Sequence, residues 1–114
     1  MDMITEQCTK GLEDNPEACR IRQAVFVDEQ GFHNEFDEID PEAWHVVLWE
    51  DGAALATGRV FPKQGSDGIW TIGRVAVLKP YRGKGLGALV VQKLEQVAAQ
   101  GVYPLRPGAG AGVL

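Results

Sequence analysis

Three glycines at alternate positions, Gly83, Gly85 and Gly87, fall where an amphipathic helix begins. Glycine costs about 1 kcal/mol relative to alanine inside a helix, so this placement opposes helix formation. It suits another task. The first N–H groups of a helix lack intrahelical partners, and the helix dipole adds roughly half a positive charge there. A main chain stripped of Cβ atoms can close around phosphate oxygens. Arg82 and Lys84 flank the first glycine and are expected to add positive charge at the mouth. The segment therefore reads as an anion cradle, the alternative being a glycine-rich turn with no ligand.

Two familiar phosphate motifs are tested and fail. No Gly-Lys-Ser/Thr follows at the spacing of a P-loop. Gly83, Gly85 and Ala88 match G-x-G-x-x-A after the strand-like "RVAV", as in a dinucleotide fingerprint. That motif requires a tight turn, whereas Leu78 to Arg82 separate strand from glycine, and no second parallel strand ending in an acid follows Gln100.

The other side chains able to do chemistry are charged and segregated. From Gln23 to Gly58 there are nine acids and no Lys or Arg, and from Gly68 to Leu94 there are five bases and no acid. Such runs are either solvated faces or sites for two ligands of opposite sign. Net charge −5 argues against a nucleic-acid partner, which needs a basic face. No apolar run approaches the roughly 20 residues of a membrane span. Asp2 and Glu6 are incompatible with a signal peptide, and Cys8 and Cys19 lack metal-ligand spacing. We expect no metal, free thiols and a reducing cytoplasm.

The elements that must position these residues follow from local pattern. Met3 to Thr9 reads as a strand. Asn15 as N-cap, Pro16 at the first helical position and Glu17 in the first turn start a helix that Gly31 stops. "FHNEFDEIDPEA" is a loop or a short second helix. "AWHVVLWED" and "AALATGRVFP" form a hairpin through Asp51-Gly52, and "IWTIGRVAV" follows the turn "KQGSDG" as a further antiparallel strand. Leu86, Leu89, Val90, Leu94, Val97 and Ala98 keep helical spacing. The expected fold is α/β (α+β), a mainly antiparallel sheet flanked by helices, over residues 1–100. Residues 101–114 form a Pro/Gly-rich tail, in which Val102 to Leu105 pair briefly at most and the rest is irregular.

At this point a resemblance becomes specific. "RVAVLKPYRGKGLGALVVQKLEQVA" resembles motif A of the GNAT superfamily of N-acetyltransferases, Arg/Gln-x-x-Gly-x-Gly/Ala, filled by Arg82, Gly85 and Gly87. "IRQAVFVDEQGF" followed by "EFDEIDPEAWHVV" resembles the small bacterial ElaA/YjcF-like branch, and the likeness runs from about Glu13 to Gln100. The resemblance implies an acetyl-CoA-dependent enzyme that transfers acetyl to a small amine by direct attack. By the same resemblance the loop Arg82, Gly83, Lys84, Gly85, Leu86, Gly87 and Ala88 holds the pyrophosphate of coenzyme A. The main chain of Val75, Ala76 and Val77 receives the pantetheine arm, with an N–H near Val77 polarising the thioester carbonyl. His45 and Glu50 are the candidate bases, with His45 read also as a structural residue of its strand. Glu29, Glu35, Asp37 and Glu38 lie where the family recognises its acceptor, and are read as an amine-attracting rim or as a solvated face.

One departure stands beside this likeness. Family members continue into a fifth strand that splays from the fourth, then a helix that often carries a tyrosine acid. The tail does not resemble that half, and Tyr103 is not assigned the acid role. We therefore expect a truncated member with impaired turnover, its sheet edge open to homo-oligomer pairing. The alternative is a non-catalytic CoA-binding or protein-interaction module.

Overall fold

The structure, a computed structural model, describes residues 4–32, 36–63 and 69–100. Four strands form one antiparallel sheet in sequence order: β1 (Ile4–Lys10), β2 (Trp44–Glu50), β3 (Ala53–Pro62) and β4 (Trp70–Val77). Helix α1 (Pro16–Arg22) follows β1, and helix α2 (Leu86–Ala99) follows β4.

Local chemistry accounts for most of these boundaries. The β2–β3 hairpin turns through Asp51 at φ 52° and Gly52 at φ 81°, the left-handed pair that a two-residue hairpin requires. Pro16 opens α1, since its missing N–H would be unpaired there anyway. Beyond Arg22 the helix widens into a π-helical stretch, Gln23–Glu29, and ends before Gly31 at φ 77°. Asn15 sits at the cap position, but its side chain does not cap. It is fully buried and donates instead to Thr9 Oγ1 at 3.0 Å and to the His45 carbonyl at 3.4 Å, pinning α1 to two strands. Among the described residues the acidic segment contributes one 3₁₀ turn, Asp40–Glu42. The expected turn at 64–68 and the tail from 101 lie outside the described residues, although Lys63 N–H closes on the Ile69 carbonyl at 2.8 Å.

The helices cover opposite faces of the sheet. Leu86, Val90, Leu94 and Val97 of α2 pack on Trp44, Val46, Leu48, Leu55 and Val60, with Trp70, Ile72, Val75 and Val77 at the margin. Ala18, Ile21 and Val25 pack on Val47, Ala54 and Ala76 from the other side. Burying each large side chain of α2 contributes roughly 1.5–3 kcal/mol, which outweighs the glycines at its start. α2 packs tightly over Gly58, where a Cβ would stand 2.6 Å from Val90 Cγ1 and 2.9 Å from Leu94 Cδ1.

That contact yields a prediction. Gly58→Ala is expected to overpack the interface and lower unfolding stability by about 1–3 kcal/mol in urea denaturation, without changing the fold. Unchanged stability would mean that α2 is free to move off the sheet.

Candidate active site

The glycine loop occupies the exit of β4. A 3₁₀ turn at Lys79–Tyr81 leads to Arg82, then to Gly83 at φ 84° and Gly85 at φ 79°, with Gly85 as the N-cap of α2. Both glycines are needed for their left-handed backbone. Gly87 is needed for neither strain nor packing, because a Cβ there would meet only Val77 Cγ2, at 3.9 Å. The first helical bond runs from Leu89 N–H to the Gly85 carbonyl, and no side chain caps the amides of Leu86, Gly87 and Ala88. Leu86 is buried and anchors the turn, whereas Arg82, Gly83, Lys84, Gly85 and Ala88 are exposed. The loop thus presents main-chain donors at the positive end of a helix.

Arg82 corrects one expectation. Its side chain turns back from the mouth, donating from Nε to the Val77 carbonyl at 2.8 Å and from both Nη atoms to Glu29 at 2.7 and 2.8 Å. The hydrogen bond from Arg82 holds the Glu29 carboxyl below its ordinary pKa, and Glu29 raises that of the guanidinium. Lys84 lies over the Tyr81 ring, 5.9 Å from its centroid.

The strand that leads into the loop is irregular. Thr57 pairs with Ala76 and Arg59 with Gly73, so β4 carries one residue more than β3 between these pairs, a β-bulge. Arg74 within it has φ 53°. Among the described residues no strand lies on the outer side of β4.

Behind the bulge is a charge network that sequence reasoning missed. Arg22 donates to both oxygens of Asp40 at 2.8 and 3.2 Å, and Arg59 donates to the same carboxylate at 2.7 Å. Arg59 also grips Asp37 at 2.8 and 3.2 Å, and Arg74 reaches Asp37 at 3.2 Å. Arg22, Asp40 and Arg59 are at most 4% exposed. Burial alone would push the Asp40 carboxyl up, but hydrogen bonds from Arg22, the Asp37 N–H and Arg59 leave it below its ordinary value. The hydrogen bond from Arg59 is the main reason that Asp37 falls to about 2. One signal was available: Arg59 interrupts an apolar strand and Arg22 an apolar helix face, and arginines so placed are almost always paired.

The acidic residues expected to form a rim are therefore dispersed. Glu29 and Asp37 are bound to arginines, Glu38 is exposed, and Glu35 lies outside the described residues. The two candidate bases also part. His45 is fully buried, with Nε2 3.0 Å from the Asp40 carbonyl, and burial lowers its pKa, which favours the neutral ring. Glu50 ends β2 half-buried beside the Asp51-Gly52 turn, two strands from β4. Among the described residues no three His, Cys, Asp or Glu are grouped to hold a metal ion, and no helix is long and apolar enough to cross a membrane.

The sequence and the fold are similar to those of known proteins. The family model described as "Acetyltransferase (GNAT) family" matches residues 8–103. An uncharacterized N-acetyltransferase of Bacillus subtilis, YjcF, is 34% identical over 94 residues, covering 81% of this chain and 65% of its own length. The chain spans 58–65% of the length of that relative and of the B. subtilis protein YyaT, which is 32% identical. A crystal structure of an acyl-CoA N-acyltransferase from Pseudomonas aeruginosa superposes with a TM-score of 0.73 at 28% identity, over 86% of this chain and 72% of the other. Escherichia coli ElaA shares the fold, with a TM-score of 0.75 at 23% identity over 88% and 72% of the two chains.

The network makes stability pH-dependent. The folded pKa of Asp37, about 2, lies below its unfolded one, so protonation favours the unfolded chain. Its contribution is fully present above about pH 4 and is lost as pH falls through 2. Asp37→Asn should cost about 1–2 kcal/mol at neutral pH and flatten the loss of stability between pH 4 and 2, read by denaturant titration. Parallel acid profiles for the two proteins would remove Asp37 from the network.

Proposed function

This chain belongs to the acetyltransferase (GNAT) family, and from that premise we propose that it binds acetyl-CoA and serves acetyl transfer to a small amine. The observation that carries the reading is the uncapped start of α2, held behind a bulged strand by glycines with left-handed backbone. In this reading the amides from Arg82 to Ala88 receive the pyrophosphate. The main chain of Val75, Ala76 and Val77 takes the pantetheine arm, and an N–H near Val77 stabilises the oxyanion that forms on the thioester carbonyl. The neutral amine attacks the carbonyl carbon, the C–S bond breaks, and CoA leaves as a thiolate that takes up a proton.

The acceptor side is proposed with a changed cast. Glu38 and Glu29 are both exposed, but Glu29, like Asp37, is bound to an arginine. Glu50 remains the candidate base and His45 does not. That dispersal is also what favours the rival reading, a CoA-binding module without turnover. A cytoplasmic setting is part of the proposal, and so is self-association through the outer edge of β4, which has no partner strand among the described residues, since open strand edges recruit other chains. A chain that sediments as a monomer at all concentrations would remove the last element.

The decisive test is calorimetry with CoA. Gly87→Glu adds a carboxylate at the second helical position, where the dipole favours it and a Cβ meets only Val77 Cγ2 at an ordinary 3.9 Å, so the fold should be retained. The same charge should abolish CoA binding by repelling the pyrophosphate. Binding that survives the substitution, or NADH binding tighter than CoA, would overturn the assignment.

A further inference from the structure

The bulge of β4 contains an anomaly. Gly73 could take a left-handed backbone at no steric cost, yet the positive φ falls on its neighbour Arg74, at 53°. A residue with a Cβ holds such a conformation only where its surroundings impose it. The apolar pattern of the strand explains why some bulge must exist. Trp70 and Ile72 pack against the α2 layer, and so do Val75 and Val77, although the spacing between the two pairs is odd. One extra residue restores the facing, but the pattern alone does not say which residue yields.

The side chain of Arg74 supplies the missing choice. It reaches across the sheet face to Asp37 at 3.2 Å. Asp37 is a rigid anchor: Arg59 of the adjacent strand holds its carboxylate at 2.8 and 3.2 Å, its N–H donates to Asp40 Oδ2 at 3.0 Å, and its Oδ1 accepts from the Ile39 N–H at 3.1 Å. A fixed carboxylate on one side and an odd-spaced strand on the other define where the guanidinium must go.

We propose that Arg74 is a positioning residue, its ion pair with Asp37 holding the bulge in the shape that turns the main chain of Val75–Val77 towards the pantetheine arm. The inference rests on the CoA reading for its ligand, but not for the clamp itself. It gives Asp37 a structural duty in place of acceptor recognition. It also links the two halves of the site, because the segment carrying Glu38 is the one that fixes the strand.

The test compares the full chain with Arg74→Gly and Arg74→Lys. Glycine accepts the left-handed backbone and removes the side chain that carries the tether, while lysine keeps the charge. Two probes are titrated by calorimetry: CoA, and 3′-phosphoadenosine 5′-diphosphate, which is CoA without its pantetheine arm. Amide hydrogen exchange is followed at Val75–Val77 and, as a control, at Val46–Leu48. For Arg74→Gly we expect CoA to weaken about tenfold, the worth of one or two main-chain hydrogen bonds, with the nucleotide unchanged within about twofold. Exchange should accelerate at Val75–Val77 alone, and Arg74→Lys should restore most of both effects. Equal weakening of both probes would show that the substitution acts on the whole fold, and wild-type values throughout would show that the bulge stands without its tether. Either result overturns the proposal. If wild-type protein binds neither probe, the CoA reading fails separately and the exchange data decide: local acceleration sustains the clamp, and its absence refutes it.

Discussion

The carboxylate of Asp40 accepts hydrogen bonds from two arginines that arrive from different layers, Arg22 from the last turn of α1 and Arg59 from the middle of β3. Removing these three charges from water costs several kcal/mol per ion, recovered only if the geometry is good and the remaining donors are engaged. Arg22 answers with a two-pronged contact to Asp40 and a stack over Phe36, 4.6 Å from the ring centroid. Arg59 divides itself between Asp40 and Asp37 and lies over Phe61. Apolar contact between α1 and the sheet is non-directional and would tolerate sliding. A carboxylate shared by helix and strand does not, and it fixes where the acidic segment crosses the sheet.

From that fixed crossing the two faces of the sheet take different duties. The α1 face is partly polar: Asn15, Arg22, His45, Thr57 and Arg59 are all buried there, and Thr57 Oγ1 donates to the Val46 carbonyl at 2.7 Å. The α2 face is apolar and closely packed around Gly58. Close packing matters for chemistry as well as stability, because it sets the start of α2 beside Val77. The Arg82–Glu29 pair then joins the loop to the end of the π-helical stretch. Being exposed, it contributes little stability, and its significance is geometric.

Much of this was legible in the residues, for a physical reason. Turn and cap preferences act within about four residues, so Asp51-Gly52 and Pro16 each announced their backbone conformation directly. The acidic run from Gln23 to Gly58 was visible too, but its meaning was not. The arginines that bound it, Arg22 and Arg59, are the ones that neutralise Asp40 and Asp37, and neither had been singled out. Arg82 was read correctly as belonging to the loop and incorrectly as facing the mouth.

The sequence by itself determined the strands, their order and the two apolar helix faces, but neither the bulge of β4 nor the π-helical stretch after α1. The strands and helix faces depend on period and on single-residue conformational limits, both of which are local. Only the tertiary structure decided which charges meet. Arg22 and Asp40 are 18 positions apart, Asp40 and Arg59 are 19, and Glu29 and Arg82 are 53. An ion pair across such distances exists because layers of the fold bring its members together, and side-chain type alone carries no record of that meeting. For the same reason His45, polar in the sequence, became an interior residue once the network closed over it.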